Sequence, residues 1–113
     1  NYSPAEFSAL QRFLDVPLVS TQPEFSPLRA APLYDGTLDQ AMAEDIAVLA
    51  WSPLGGGRLL APAQPAAALL AEQGEAFGAD AVAAALSWIM VHPARIVPIL
   101  GSQNPDRIRA AAD

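Results

Sequence analysis

Three short β-forming runs, separated by segments with helix signals, constrain the fold of this chain most. Residues 18–22 contain β-branched side chains, and residues 46–51 and 96–100 are continuous apolar runs. Apolar runs without polar alternation are typical of strands buried on both faces, as in parallel sheets. Strands that alternate with helices predict a parallel α/β sheet whose strands are joined by right-handed crossovers.

Helix signals lie before and after each run. Ser3 and Glu6 form a capping box around Pro4, which suits a first helical position, and Pro17 ends the helix that they begin. Apolar residues recur at helical spacing in this helix and in a later one, so we expect them to face the core. They are Phe7, Leu10, Phe13 and Leu14 of the first helix and Val82, Leu86, Ile89 and Met90 of the later one. Trp88 of the later helix is also expected in the core. Further helices are expected from Thr37 to Ala43, from Pro65 to Phe77, from the Asp80 cap to Val91, and from the Asn104 cap onward with Pro105 at its first position.

The composition excludes several classes of protein. Hydrophobic residues make up 52% of the chain and charged residues 16%, which argues against disorder caused by excess charge. The net charge of −6 and the scattered arginines leave no basic patch for nucleic acid, and no apolar run approaches the ~20 residues that span a bilayer. The absence of cysteine and the single histidine exclude a disulfide and a zinc centre. We expect a metal-free cytoplasmic protein with no nucleic-acid or membrane partner.

The carboxyl ends of the three strands carry the candidate binding residues. Gln22, Trp51 and Gly101 each lie where a strand passes into a loop, and in a parallel sheet these loops open on one face. Ligands of α/β folds bind on that face. Gln22 is a polar residue at the end of its strand, where it is available to hydrogen-bond a ligand amide or a neighbouring loop.

Two of these loops have features of a ligand site. Gly101 and Ser102 lead into a helix N-terminus, where free amide hydrogens and the helix dipole attract anions, and Arg107 lies one turn further on. Trp51 offers a flat stacking surface beside the glycine-rich residues 52–58, which lack GxGxxG spacing. The alternatives are an ordinary capped helix with a solvated Arg107, and a core tryptophan beside a flexible loop.

The chain carries no evident catalytic constellation and too few strands for a closed barrel. No Ser-His-Asp or lysine-based set can be assembled, so we expect no catalytic residues in it. About three parallel strands leave two unpaired edges, which natural domains avoid, whereas a closed barrel takes eight strands. We expect a barrel whose first half is missing from this chain; the alternative is a small three-stranded domain that stands alone.

Four motifs follow one another along the whole chain. They are Asn1-Tyr2-Ser3-Pro4, Gln22-Pro23-Glu24-Phe25-Ser26-Pro27-Leu28, Ala50-Trp51-Ser52-Pro53-Leu54-Gly55 and Pro98-Ile99-Leu100-Gly101-Ser102-Gln103-Asn104-Pro105. In this order and spacing they closely resemble the aldo-keto reductase superfamily, in particular its bacterial, YdhF-like branch. The resemblance implies an α/β fold, the (β/α)8 TIM barrel, with residues 1–113 as the C-terminal part of its single domain.

The same resemblance implies a cofactor and the residues that hold it. NADPH would lie across the C-terminal face of the barrel without a Rossmann fold. Asn1 and Gln22 would hold the nicotinamide carboxamide, and Trp51 would stack on the nicotinamide ring. The other implied residues are Ser52, Pro53, Leu54 and Gly55 along the pyrophosphate, and Ser102 and Arg107 at the adenosine 2′-phosphate, with Gly101 and Gln103 beside them.

The chain departs from the family's pattern near that phosphate. Gly101 stands where many relatives have lysine, and Ala110 and Ala111 stand where relatives often place polar residues against the adenine. The family's catalytic Asp, Tyr, Lys and His belong to the first half of the barrel, and none maps onto this chain.

The function implied for the intact protein is reduction of aldehydes or ketones by hydride transfer from NADPH. Its partners would be a small carbonyl substrate and the missing N-terminal half of the barrel, and this stretch alone would be inactive. One alternative is a non-enzymatic nucleotide-binding regulatory subunit of the same fold. Another is a stand-alone fragment with a structural or interaction role.

Overall fold

Three parallel strands lie side by side in the order of the chain. The computed structural model describes residues 1–111. In it β1 (Ser20–Thr21) pairs with β2 (Ala47–Ala50), and β2 pairs with β3 (Val97–Pro98). The parallel α/β sheet that the three runs predicted is confirmed.

The strands are shorter than the runs that predicted them. Ser20 lies opposite Ala47, and Leu49 lies opposite Val97, so each ladder joins only a few residues. Pro98 lacks the N–H group that a longer ladder would use, which limits β3 at its end. Apolar character alone therefore overestimated how far the strands extend.

Five α-helices and two short 3-10 helices surround the sheet in the residues described. Within that part of the chain, no helix has the length and apolar character needed to cross a membrane. The α-helices are α1 (Pro4–Gln11), α2 (Thr37–Ala43), α3 (Pro65–Glu75), α4 (Ala81–Met90) and α5 (Pro105–Ala110), and the 3-10 helices are Ala31–Leu33 and Gly55–Leu60.

The three expected helix caps are confirmed. The side chains of Ser3, Asp80 and Asn104 accept backbone N–H groups of the helices that follow them. Helix α2 begins at Thr37, as expected, directly after Gly36, which has a left-handed backbone with φ of 86°. The carboxylate of Asp35 accepts the N–H of Thr37 at 2.9 Å.

The core lies around β2 and the inner face of α4. Val48 and Ala50 of β2 are fully buried, and so are Phe25 and Ile89. Burying such side chains is the main favourable term in folding, because it removes apolar surface from water. The remaining members of this cluster are Phe7, Leu38, Ala41, Ile46 and Ile96.

Four side chains that were expected in the core are partly or largely exposed. Helix α1 stops at Gln11 and not at the expected Pro17, so Phe13 and Leu14 lie beyond it and are 87% and 38% exposed. Met90 follows the buried Ile89 and therefore points about 100° away from it on the helix, where it is exposed. Trp88 is 39% exposed and packs at the edge of the core, its ring centroid 5.4 Å from that of Phe25.

Candidate functional site

Backbone hydrogen bonds join the loops that follow the three strands. Just after β3, the Ile99 N–H donates to the Ala50 carbonyl oxygen at 2.8 Å. The Trp51 N–H donates to the Pro23 carbonyl oxygen at 3.1 Å, and the Phe25 N–H donates to the Trp51 carbonyl oxygen at 3.3 Å. The three loops therefore leave the sheet at one edge, where parallel strands place their carboxyl ends.

Trp51 and Asn1 are in direct contact at this edge. The indole Nε1 of Trp51 donates to Asn1 Oδ1 at 2.8 Å. Trp51 is half-buried and Asn1 is exposed. Both side chains line a cavity of about 380 Å³, together with Pro23, Glu24 and Arg29. The sequence suggested both residues for one ligand but did not predict that they would bind each other.

The glycine-rich loop after β2 exposes its backbone rather than side chains. Gly55, Gly56 and Gly57 have φ values of 61°, 65° and 85°, in the left-handed region that glycine adopts without steric cost. A Cβ atom at Gly56 or Gly57 would meet no atom within 4 Å, so a ligand can approach the backbone there. At Gly55, by contrast, a Cβ atom would lie 3.1 Å from Leu28 Cδ1.

The start of the same loop is held in a fixed conformation. Ser52 has φ of 49°, which is uncommon for a residue that carries a Cβ atom. Its carbonyl oxygen accepts the Gly55 N–H at 2.8 Å, and Arg58 Nε donates to the Gly55 carbonyl oxygen at 2.9 Å. Pro53 is buried and Leu54 is partly exposed. The loop thus combines a fixed path with an accessible surface.

The turn before α5 presents polar groups at a helix N-terminus. Ser102 Oγ accepts the Asn104 N–H at 3.2 Å, and Asn104 Oδ1 accepts the N–H groups of Asp106 and Arg107 at 2.9 and 3.3 Å. Within residues 1–111, no carboxylate lies at ion-pair distance from the Arg107 guanidinium, whereas Arg109 pairs with Asp106 at 2.9 Å. Arg107 is exposed and is therefore available to an external anion.

A second cavity, of about 620 Å³, lies between the glycine-rich loop and α5. Its walls combine the bare backbone of Gly57, the side chains of Ser102 and Arg107, and the small side chains of Ala110 and Ala111. Leu54 and Gly101 line it as well. This cavity therefore offers a guanidinium, a hydroxyl and exposed backbone beside small apolar side chains. Such a combination suits a ligand that has both an anionic and a flat apolar part.

The structure gathers most of the predicted site residues into two groups. Asn1 and Trp51 line the smaller cavity, and Leu54, Gly101, Ser102 and Arg107 line the larger one. Ser52, Pro53 and Gly55 lie in the loop between the two groups. Gln22, directly after β1, and Gln103, in the turn before α5, are exposed side chains at the same edge of the sheet.

Several charged residues at these cavities were not proposed for the site from the sequence. Glu24 and Arg29 line the smaller cavity, and Arg29 Nε lies 3.8 Å from Glu24 Oε2. The only signal for them was their position just after the first strand. Asp80, which lines the larger cavity, was interpreted only as a helix cap, and it does cap α4.

Glu6 adds an ionised carboxylate to the wall of the smaller cavity. A hydrogen bond from the Ser3 hydroxyl, at 2.7 Å, and one from the Ser3 N–H, at 2.8 Å, hold the pKa of the Glu6 carboxyl below its ordinary value. Within residues 1–111, no three His, Asp or Glu side chains are close enough to share a metal ion. The two cavities are therefore lined by hydrogen-bond donors, separate carboxylates, bare backbone and an aromatic ring.

Comparison with known proteins identifies related sequences. The chain matches the Aldo/keto reductase family over residues 1–113. It is 45% identical over 117 residues to 6-dehydroglucose reductase of Novosphingobium aromaticivorans, covering 100% of this chain and 38% of that protein. It is 38% identical over 118 residues to the oxidoreductase YdhF of Escherichia coli, covering 100% of this chain and 39% of that protein.

Solved structures share the fold. An aldo-keto reductase of Klebsiella pneumoniae in complex with NADPH superposes with a TM-score of 0.83 at 19% identity, covering 99% of this chain and 39% of that one. The expected fold, part of an aldo-keto reductase (β/α)8 barrel, is confirmed. The chain spans about 38% of the length of the curated relatives that it matches first. The match over the whole chain and the identity to these relatives show that the chain belongs to the aldo/keto reductase family.

Proposed function

We propose that this chain supplies the NADPH-binding loops of an enzyme that reduces aldehyde or ketone carbonyls. The observation that carries the proposal is the meeting of three strand-end loops at one edge of the sheet, with a cavity on either side of the loop at 52–57. A related fold in complex with NADPH supports the choice of cofactor. Because the chain covers 38% of its relatives, the remainder of the barrel is proposed as its partner.

The residues present fit an extended dinucleotide. Trp51 provides an aromatic face for the nicotinamide ring, and Asn1 and Gln22 provide amides for its carboxamide. The open backbone at Gly56 and Gly57 allows a diphosphate to approach closely, beside the path of Ser52, Pro53, Leu54 and Gly55. Ser102 and Arg107 are a hydroxyl and a guanidinium of the kind that binds phosphate, and Gly101 and Gln103 lie next to them.

Selectivity for NADPH over NADH would rest on few groups. Gly101 offers no side chain to the 2′-phosphate, and Asp80 places a carboxylate in the wall of the same cavity. Arg107 is therefore the principal cation for that phosphate, with the Ser102 hydroxyl beside it. We expect a preference for NADPH that depends strongly on this single arginine.

The chemistry divides between this chain and the rest of the barrel. Bound NADPH supplies the hydride, while the protein binds and orients it. Trp51, Asn1 and Gln22 would fix the position of the nicotinamide ring, and the loop at 52–57 would shield the diphosphate from water. The group that protonates the carbonyl oxygen is proposed to lie outside this chain.

A sugar aldehyde is the first substrate to test. The relative that is 45% identical is a 6-dehydroglucose reductase, and its name describes a glucose derivative oxidised at carbon 6. We propose that the full-length protein accepts a small carbonyl compound of this type. Other small aldehydes and ketones serve as comparison substrates.

The decisive experiment measures cofactor binding and turnover in the full-length protein. NADPH fluorescence titration gives the Kd, and loss of NADPH absorbance with 6-dehydroglucose gives the rate. Trp51→Ala should raise the Kd severalfold, because aromatic stacking contributes ~0.5–1.5 kcal/mol beyond area burial. Phe77→Ala, a substitution at an aromatic residue that is 87% exposed in the turn after α3, is the control and should leave the Kd unchanged.

Three outcomes separate the possible functions. Tight NADPH binding with carbonyl-dependent oxidation supports the proposed reductase. Binding without oxidation of NADPH by any aldehyde or ketone favours a nucleotide-binding regulatory subunit of the same fold. Absence of NADPH binding contradicts both.

A further inference from the structure

Glu24 is held beside Trp51 by the backbone. Two hydrogen bonds flank it, one from the Trp51 N–H to the Pro23 carbonyl oxygen and one from the Phe25 N–H to the Trp51 carbonyl oxygen. Glu24 and Trp51 are thereby paired as in a parallel ladder. Paired residues present their side chains on the same face, on strands about 4.8 Å apart. The Glu24 side chain therefore starts beside the indole, and both side chains line the smaller cavity.

A tight turn brings Arg29 back to the same cavity. Ser26 and Arg29 exchange two backbone hydrogen bonds, at 3.2 and 2.9 Å. Arg29 Nε lies 3.8 Å from Glu24 Oε2, which is ion-pair distance but too long for a hydrogen bond. Within residues 1–111, neither of these two side chains makes a hydrogen bond to another protein group. Carboxylate oxygens and guanidinium N–H groups are therefore available to a ligand in this cavity.

The wall of the cavity favours a neutral ligand that is rich in hydroxyl groups. In the described part of the chain, its charged side chains are the carboxylates of Glu6, Glu24 and Asp35 and the guanidinium of Arg29. Three carboxylates against one cation repel an anion, and no three of the described acidic or histidine side chains are close enough to share a metal ion. A carboxylate accepts hydrogen bonds, a guanidinium donates them, and a hydroxyl group does both.

We propose that Glu24 and Arg29 are specificity-determining residues that bind hydroxyl groups of a sugar aldehyde. This inference rests on the proposed reductase function and names the residues that would recognise its substrate. Because Trp51 is the proposed stacking partner of the nicotinamide ring, a sugar in the cavity beside it lies next to the source of the hydride. In the reaction the aldehyde carbon gains a hydride and its oxygen gains a proton, so the carbonyl becomes a primary alcohol while NADPH becomes NADP⁺.

A site built around hydroxyl groups discriminates against a substrate that lacks them. If butanal filled the cavity, the Glu24 carboxylate and the Arg29 guanidinium would lose water without gaining a partner, which weakens binding. The unmodified full-length protein should therefore have a higher kcat/KM for 6-dehydroglucose than for butanal. We expect a ratio of at least about tenfold, and not the far larger ratios of fully buried sites, because Arg29 is exposed.

The test measures both kcat/KM values in the full-length protein and in its Glu24→Gln and Arg29→Met variants. Both substitutions nearly keep the length of the side chain, but the first removes the carboxylate and the second removes the guanidinium donors. We expect the ratio of the two kcat/KM values to fall about tenfold in each variant. Asp39→Asn, at an exposed carboxylate of α2 outside the cavity, is the control and should leave the ratio unchanged.

Binding of the product gives a readout that does not depend on turnover. Reduction of 6-dehydroglucose gives glucose, and the Kd of glucose for the protein with NADP⁺, measured by saturation-transfer NMR, should rise by a similar factor in both variants. An unchanged ratio or an unchanged glucose Kd in Glu24→Gln would overturn the proposal. Equal kcat/KM values for the two aldehydes in the unmodified protein would also overturn it. Failure of the unmodified protein to oxidise NADPH with either aldehyde would instead contradict the proposed function, so the two failures are distinguishable.

Discussion

Gly74 of α3 lies directly against the backbone of Ala79, in the turn that leads to α4. A Cβ atom at Gly74 would stand 2.6 Å from the Ala79 carbonyl oxygen and 2.9 Å from the Asp80 carbonyl oxygen. The Gly74 carbonyl oxygen also accepts the Ala79 N–H at 2.9 Å, which closes the turn. This glycine sits inside a helix because the next segment passes too close for any side chain.

Gly74→Ala should therefore destabilise the protein. Alanine gains up to ~1 kcal/mol in helix propensity, but overpacking against fixed backbone costs roughly 1–3 kcal/mol, so the clash should prevail. A lower midpoint of urea denaturation in the full-length protein is the expected result. Gly101→Ala is the matched control, since a Cβ atom there meets nothing within 4 Å, and it should leave the midpoint unchanged. A Gly74→Ala protein as stable as the unmodified one would contradict this account of the turn.

Arg107→Gln should reduce the affinity for NADPH but not for NADH. A hydrogen bond to a charged group is worth about 1.5–3 kcal/mol, and because Arg107 is exposed we expect the lower end, roughly tenfold in Kd. NADH lacks the 2′-phosphate, so its Kd should change little. Fluorescence titrations with both cofactors measure the difference.

Arg109→Gln is the control for that substitution. Arg109 lies on the same helix but pairs with Asp106, so its loss removes an equal charge without removing the proposed phosphate ligand. Its NADPH affinity should stay close to that of the unmodified protein. Equal weakening of NADH and NADPH binding by Arg107→Gln would show that the arginine does not recognise the phosphate.

The capping box of α1 should give stability a measurable pH dependence. The pKa of Glu6 is held below its ordinary value by its hydrogen bonds to Ser3. A carboxyl with a lowered folded-state pKa stabilises the fold above its unfolded-state pKa, and this contribution is lost as the pH falls through the folded-state pKa. Ser3→Ala should therefore raise the pKa of Glu6 towards its ordinary value and lower the stability at neutral pH.

Two measurements check this prediction. An NMR titration of the Glu6 carboxyl group in the Ser3→Ala protein gives the pKa directly, and an unchanged value would contradict the assigned cause. Glu6→Gln keeps a hydrogen-bond acceptor but cannot titrate, so the acid loss of stability that belongs to this residue should disappear.

Local signals in the sequence were sufficient for the starts of the capped helices. Ser3, Asp80 and Asn104 act on N–H groups two or three residues away, so their short side chains determine where each helix begins regardless of the rest of the fold. Helix α2 begins at Thr37 as expected, but the hydrogen bond from the Thr37 N–H to the Asp35 carboxylate was not predicted.

Burial of individual side chains was harder to predict, because it depends on what packs against each helix. Phe13 continues the apolar spacing of α1, but the helix has already ended at Gln11. Trp88 belongs to the most apolar helix, yet its ring reaches only the edge of the core beside Phe25. Spacing gives the direction of a side chain and not the extent of the element that covers it.

Strand ends and motifs were enough to propose residues for the site, but they did not predict the contacts among those residues. The parallel sheet implied that the loops after Trp51 and after β3 would share an edge. The bond between Trp51 and Asn1 joins residues 50 positions apart, and no local pattern encodes it. The left-handed backbone conformation of Ser52 could not be predicted either, because serine rarely adopts it.

The sheet is ordered β1, β2, β3, as the chain is. During synthesis, each new strand therefore leaves the ribosome when the strand that it pairs with has already been made. The sheet can grow by addition at one side, without waiting for a later segment to insert between earlier ones. Such sequential docking keeps non-local pairing to a minimum and shortens the time for which an open strand edge is exposed to other nascent chains.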